Sequence, residues 1–592
     1  MIVHGVALAV TAGAWWRLSF GWLPVVVGSI VAARSRQRGW LLVAVLLASG
    51  WWAALAFDRF TPPAAGPVDG WVTLTSDPRP SGPVGVRAGA TWGRHRVSIT
   101  AHGPLAGRLD DRLAGERVWV VGSFRPTRSG DDWARWRHEV GSVAVVDIRA
   151  HAPGSPLSRF TNAVRRLLAD GAATLDRDDR AIFGGMVLGD DREQSAVVAD
   201  DFRAAGLGHL LVVSGQNVAF VIALLGPLTR RLRPAGRLAV VLLALVGFVT
   251  LTRFEASVLR AAAMAGISVG AAVLGGPVDG RRALSCSVIL LVMLDPFLVR
   301  VIAFQLSVLA TGGIVWLSGP LASRLPGPEL VRVAASTTIS AQIAVSPLLV
   351  AVFGPVPLAA LPANLLAGPA SGPIMMWGWT GGLVAGLVGE PVAGWLHLPT
   401  GLLVGWVRTV AAVAASGPPL VAGGVAIVLL SIAVGAGLAR PRAASGVGAV
   451  AVIAAVVVVV GSAPRLEPGA TAAGAGVVIH REGAAVVVEL DDPHRPRDVL
   501  EAIRHAGVRR IDVVVTTDGD RADADAVVAL RARFGDLEIF APPMHRVPGV
   551  SSVHPGTAVR LGRLLVEPID EDDRNRLVVR NCPPESCQHG SP

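Results

Sequence analysis

Residues 206–221 read GLGHLLVVSGQNVAFV, an apolar run that carries the polar knot Ser214-Gly215-Gln216-Asn217, with His209 five residues ahead of Ser214. Side-chain amides are costly in hydrocarbon unless they face protein or a water-filled cavity. Such a knot therefore lines a hydrated path or glues helices together. Gly215 beside two amide side chains points to a broken or tightly packed helix. A second candidate is the cluster Trp92, Arg94, His95 and Arg96, whose residue types stack bases and neutralise phosphates, although a solvated hairpin would read the same. A third is the acidic run Asp518, Asp520, Asp523 and Asp525, which offers hard-cation oxygens or simply a solvated loop.

The setting of these residues is a membrane protein. The 592-residue chain is 52% hydrophobic and 17% charged, with a mean hydropathy of +0.53, which is the composition of a polytopic membrane protein. Lys and Tyr are both absent, so apart from His every basic side chain is Arg. The net charge of +10 has two readings, because basic loops also orient membrane proteins. Without Lys there is no Walker-type phosphate loop, so a motor would have to be a separate protein. Cys286 lies in an apolar run, whereas Cys582 and Cys587 are close enough in sequence to pair if that end is outside the cell. The N-terminus reads as a retained membrane anchor rather than a cleaved signal peptide.

Apolar runs at 2–16, 21–33 and 40–57 make residues 1–61 a set of N-terminal membrane helices. The basic loop around Arg34, Arg36 and Arg38 places its side in the cytoplasm and the next segment outside. In that segment, 62–150, short alternating stretches at 71–74, 97–99, 118–121 and 142–146 are separated by turn residues, as in a small five-stranded OB-like barrel. It holds 12 Arg against 9 acidic residues. Residues 151–205 have helical periodicity with Arg159, Arg165 and Arg166, and read as an amphipathic, interfacial linker region. Residues 206–465 hold the knot and further apolar runs from 238 to 462, several cut by Pro or Gly, with basic loops at Arg230, Arg231, Arg233, Arg237 and at Arg440, Arg442. Interrupted spans of this kind line cavities or pack inside protein. Residues 466–592 alternate strands (477–479, 485–490, 511–515) with helices (496–506, 524–534), an α/β domain outside the membrane; its 15 Arg against 20 acidic residues argue against direct DNA binding there.

Five stretches, in order, resemble the ComEC family of competence proteins, which move transforming DNA across the bacterial inner membrane. They are MVLGDD at 186–191, GLGHLLVVSGQNV at 206–218, SVLRAAAM at 257–264, LDPFLVRVIAFQLSVLATGGI at 294–314 and SAQIAVSPLLVAVFGPVPLAALPANLLAGP at 340–369. The resemblance implies a transport role for His209, Ser214, Gly215, Gln216 and Asn217, and for the later polar positions Arg260, Asp295, Gln305, Ser307, Gln342 and Asn364. A path for single-stranded DNA needs hydrogen-bond donors and positive potential without tight binding, which Arg260, or Arg253 nearer a helix end, would supply. Structural alternatives stand beside this: Asp295 before Pro296 resembles a helix-start cap, and Gln305 a helix bridge. In many relatives the C-terminal domain looks like a metallo-β-lactamase with a His-x-His-x-Asp-His motif. Here Thr517, Gly519, Arg521 and Ala522 occupy the ligand positions, so the domain is expected to be degenerate, without metal and not a nuclease.

The fold class expected is thus a polytopic α-helical membrane protein with an external OB-like β-domain and a degenerate metallo-β-lactamase-like α/β domain. The function expected is an inner-membrane channel for single-stranded DNA uptake in natural transformation, with no cofactor. Expected partners are single-stranded DNA, ATP-driven or DNA-binding proteins in the cytoplasm, an external DNA receptor and the bilayer, with oligomerisation left open. The rival readings are a membrane-anchored nuclease, a transporter of another solute and a structural anchor for an uptake complex.

Overall fold

Apolar stretches that cross a bilayer must close their backbone hydrogen bonds internally, and in the computed structural model those described fold as helices. It describes residues 2–16, 38–58, 61–81, 85–127, 134, 136–354, 356–417, 421–422, 469–482, 485–493, 495–543, 545–547, 549–554, 557–561, 563–571 and 574–581. The apolar runs at 21–33 and 446–462, the run at 419–438 apart from 421–422, the basic residues Arg34, Arg36, Arg440 and Arg442, and Cys582 and Cys587 lie outside the described residues. At the N-terminus, α1 (Ile2–Trp16) packs along α2 (Arg38–Asp58).

Among the described residues the next segment is mainly strand. Its elements are β1 (Gly66–Leu74), β2 (Arg79–Pro80), β3 (Gly85–Trp92), β4 (His95–His102), α3 (Pro104–Asp110), β5 (Arg117–Pro126) and β6 (Glu139–Ala152). Alternation sends Val97, Ile99 and Ala101 inward at 0% exposure. The sheet closes on itself: β1 pairs with both β3 and β5, β3 with β4, β4 with β6 and β6 with β5, and only the β4–β6 pair is parallel. Leu74, Ile99, Val120, Phe124 and Val143 fill the ring, and Ala106 and Leu109 of α3 pack against that core.

Residues 151–205 do more than link. They form α4 (Pro156–Gly171), α5 (Arg177–Leu188) and α6 (Ala196–Ala204). The helices are amphipathic, but their apolar faces carry Leu168, Ile182, Phe183, Val187 and Phe202 into the main core, beside Val213, Val218 and Val258. The bundle continues with α7 (Gly215–Thr229), α8 (Pro234–Leu251), α9 (Ala256–Val273), α10 (Gly280–Leu294), α11 (Ile302–Ala322) and α12 (Glu329–Phe353). A two-residue strand, β7 (Val356–Pro357), then leads to α13 (Ala360–Trp377), a π-turn (Gly378–Gly382), α14 (Leu383–Val388) and α15 (Val392–Ser416), and β7 pairs with β8 (Val421–Ala422). Six of the described helices, α2, α8, α9, α11, α12 and α15, are long and apolar enough to cross a membrane.

The C-terminal domain layers two helices, a mixed sheet and a small second sheet. The first sheet orders β14 (Ser551–Ser552), β13 (Glu538–Ala541), β12 (Val513–Thr516), β11 (Ala485–Leu490), β10 (Val477–Glu482) and β9 (Gly469–Gly474), antiparallel from β9 to β11 and parallel beyond. Helices α16 (Pro496–His505) and α17 (Arg521–Phe534) pack Ile503, Val527 and Leu530 on one face. The other face meets the antiparallel β15 (Val559–Leu561), β16 (Leu564–Glu571) and β17 (Arg574–Asn581) through Val487, Val515, Leu564 and Leu577.

Candidate functional site

The run that carries the knot is broken. A 3-10 turn, Gly208–Leu211, ends in extended backbone at Val212, and Ser214 is extended again before α7 begins at Gly215. Other groups occupy the polar atoms freed by this break. Ser257 on α9 donates its hydroxyl to the Val213 carbonyl at 2.9 Å. Asn217, 9% exposed, donates Nδ2 to the Met186 carbonyl at the end of α5 (3.1 Å) and accepts from the Ser214 hydroxyl (3.4 Å).

Gly215 is where α7 meets α9. A Cβ there would lie 2.5 Å from Nη2 of Arg260 and 3.1 Å from Cβ of Ala261, so only glycine lets the guanidinium lie against the knot. Arg260 is 6% exposed; its Nε donates to the Ser307 hydroxyl at 2.7 Å and its Nη1 points at the Met264 sulfur at 3.0 Å. Among the described residues no carboxylate forms an ion pair with it. The fold thus brings together Ser214, Gly215, Asn217, Arg260 and Ser307 from three helices.

The remaining candidates divide. His209 is exposed on the 3-10 turn, with Nδ1 3.2 Å from the Gly206 carbonyl. Asn364 reaches the Thr338 hydroxyl through Nδ2 at 3.5 Å. Gln216 is exposed. Gln305 donates to the Val299 carbonyl at 2.7 Å and Gln342 to Ser346 within its own helix at 3.2 Å. Asp295 accepts from the Phe297 amide (3.0 Å) as a cap, and its other oxygen pairs with His138 of the β-domain at 3.0 Å. In the β-domain, Trp92 leans on Phe124 with ring centroids 5.7 Å apart, while Arg94 and Arg96 are exposed on the β3–β4 hairpin.

A second polar centre, which sequence reasoning missed, docks the β-domain onto the bundle. Asp77, in the loop after β1, pairs with Arg165 of α4 (3.1 Å) and Arg253 at the end of α8 (3.0 Å), and accepts from the Ala114 amide (2.8 Å). Arg165, with 4% of its side chain exposed, also reaches Asp190 (3.2 Å) and the carbonyls of Leu188 and Leu251 (3.0 Å each). Arg253 reaches Asn162 at 2.7 Å, and Arg192 pairs with Asp190 at 2.6 Å. Arg253 was expected to offer free charge to a path, but Asp77 neutralises it. Burial raises the Asp77 carboxyl, yet Arg165 and Arg253 outweigh it and leave the group below its ordinary value. Burial likewise opposes ionisation of Asp190, but the Arg192 hydrogen bond and charge bring it down to about 2. The one sequence signal was Asp190 inside MVLGDD; a lone Asp77 gives none.

The acidic run after β12 caps a helix. Asp520 accepts from the Asp523 amide (2.9 Å), Asp523 accepts from the Gly519 amide (2.7 Å), and Asp518 pairs with Arg576 (2.9 Å). Asp523 is 1% exposed, and burial pushes its carboxyl up to about 7. Among the described residues no group of three or more His, Cys, Asp or Glu side chains is placed to hold a metal ion.

The apolar helices and their enclosed polar centre are those of a polytopic membrane protein. Residues 186–462, a little under half of the chain, match the family described as Competence protein, and that match covers the knot and the helices around it. Comparison with curated proteins and with solved structures finds no match.

Proposed function

We propose that the chain is an inner-membrane channel that passes single-stranded DNA into the cytoplasm during natural transformation. The observation that carries this reading is Arg260, enclosed against Gly215 of the knot and bonded, among the described residues, to uncharged groups alone. A buried charge without a counter-charge costs several kcal/mol, on the order of the penalty for breaking a buried pair. A site that meets phosphates in passing gives such a charge a use, because each nucleotide brings the missing anion and none needs to stay. Asn217, Ser214 and Ser307 supply hydrogen-bonding groups around it.

The flanking domains support the same reading. A ring of five strands with one parallel pair supports an OB-like domain, with Arg94 and Arg96 on its hairpin for sequence-tolerant backbone contact. The layered C-terminal domain supports a metallo-β-lactamase-like origin; with Thr517, Gly519, Arg521 and Ala522 at the ligand positions, it is proposed not to cut DNA. Orientation follows from charge. The ends of α8 and α10 that carry Arg253 and Asp295 bond the β-domain, so Arg230, Arg231, Arg233, Arg281 and Arg282 lie toward the other ends of those helices. The positive-inside rule assigns that side to the cytoplasm and the β-domain to the outside. The driving force comes from cytoplasmic partners, with a receptor presenting DNA outside.

The test is entry of fluorescent DNA into the cytoplasm of cells carrying wild type, a deletion, or Asn217→Leu with Arg260→Leu, with membrane protein levels matched. Entry with wild type alone supports the channel. Entry unaffected by deletion, under conditions that support transformation, overturns it. The Arg260 centre would also suit another anionic solute; altered envelope composition with normal DNA entry on deletion would favour that reading.

A further inference from the structure

Helix α6 is gripped from two sides. Its Val198 and Phe202 belong to the membrane core that also holds Val213 and Val218 of the knot segment. Its Ala196 and Val197 pack against the core of the C-terminal domain. Three ion pairs reinforce the second grip. Arg504 of α16 donates to Asp200 through Nε (3.2 Å) and Nη2 (3.0 Å), Arg533 of α17 pairs with Asp201, and Arg203 pairs with Glu501 of α16. The acids on α6 face basic groups on α16 and α17, and Asp200 is 3% exposed.

A nine-residue helix is too short to fix its own position, so α6 lies where its neighbours hold it. It runs directly into the knot: the Leu207 amide donates to the Phe202 carbonyl at 2.7 Å, and Gly206, at φ 68, turns the chain against Ala360 toward the 3-10 turn. A displacement of α6 therefore moves residues 206–217. We propose that the C-terminal domain is a clamp that holds α6 and thereby positions the Ser214–Asn217 knot, with Asp200, Asp201, Arg504 and Arg533 as its positioning residues. The clamp gives a function to a domain without a metal-ligand motif. Its role in transport rests on the channel reading above, whereas its effect on the knot does not.

The experiment uses the full chain in lipid nanodiscs, with hydrogen exchange followed peptide by peptide, and DNA entry measured in cells. In Arg504→Glu with Arg533→Glu, exchange at 206–218 is expected to rise at least about tenfold while β10–β12 stay protected. Adding Asp200→Arg and Asp201→Arg restores the pairs with reversed sign, and wild-type exchange should return, with DNA entry falling and recovering in step. Should the double reversal fail to fold, Arg533→Gln and the exposed swap Arg203→Glu with Glu501→Arg provide milder versions of the same loss and rescue. Unchanged exchange at 206–218 in a folded reversal variant overturns the clamp. Exchange that follows the expectation, in a protein whose wild type moves no DNA, upholds the clamp and rejects the channel.

Discussion

Asp77→Asn tests whether one loop carboxylate docks the β-domain. The substitution keeps an oxygen to accept from the Ala114 amide but removes the charge that faces Arg165 at 3.1 Å and Arg253 at 3.0 Å. Breaking a buried ion pair costs about 3–5 kcal/mol, mostly because the surviving charge stays buried. Arg165 is such a survivor, with 4% of its side chain exposed, but Asp190 and two carbonyls remain to it, and Arg253 keeps Asn162. The lower end, about 3 kcal/mol, is therefore expected, which raises the opening equilibrium of this interface by about a hundredfold. Hydrogen exchange at the Ala114 amide and across 253–255 reads this directly in the nanodisc protein, while the paired strands β10 and β11 of the C-terminal domain, which carry no residue of the network, serve as the internal reference. Asp77→Asn exchange within about threefold of wild type at these amides would show that the pairs add almost nothing beyond apolar packing, as exposed ion pairs do.

Acid should loosen the same interface. Asp190 sits near pH 2 when folded against an ordinary value of 3.8, so its contribution, about 2 kcal/mol, is full above pH 4 and fades as pH falls toward 2. Asp190→Asn should flatten that part of the acid unfolding curve. Asp523 has the opposite sign: its carboxyl is raised to about 7, so the C-terminal domain loses stability as pH climbs from about 4 to 7. Asp523→Asn, which can still accept from the Gly519 amide, should raise that domain's melting temperature at pH 8 and leave it nearly unchanged at pH 4. Gly215→Ala would put a Cβ 2.5 Å from Arg260 Nη2 and push the guanidinium off Ser307, so DNA entry should fall at normal protein levels. Gly208→Ala, with no heavy atom within 4 Å of the added carbon, is the control that should not.

What could be read from the chain was whatever depends on neighbours in sequence. Alternation at 97–99 and 118–121 placed strands because each inward side chain is two residues from the next, and the long apolar runs became helices because a membrane leaves the backbone no other partner. The broken span at Ser214–Asn217 was legible for the same reason, since a glycine beside two amides is a local signal. Contacts between distant segments were not. Arg165 sits among Arg159 and Arg166 in an amphipathic pattern that suits a membrane surface, yet Asp77, 88 positions earlier, draws it inside; no local feature announces that pairing. Asp295 shows how one residue answers two questions. Its place before Pro296 gave away the cap, while its bond to His138 depends on where β6 comes to rest. Arg253 and Arg260 make the point most sharply, because both are arginines at or within apolar helices and the sequence offered either as a source of positive potential. The fold separates them by what lies opposite: a carboxylate from the β-domain cancels Arg253, whereas Arg260 meets a hydroxyl, a thioether and a glycine, with no carboxylate among the described residues. Of the two, Arg260 is the one without an ion-pair partner among the described residues.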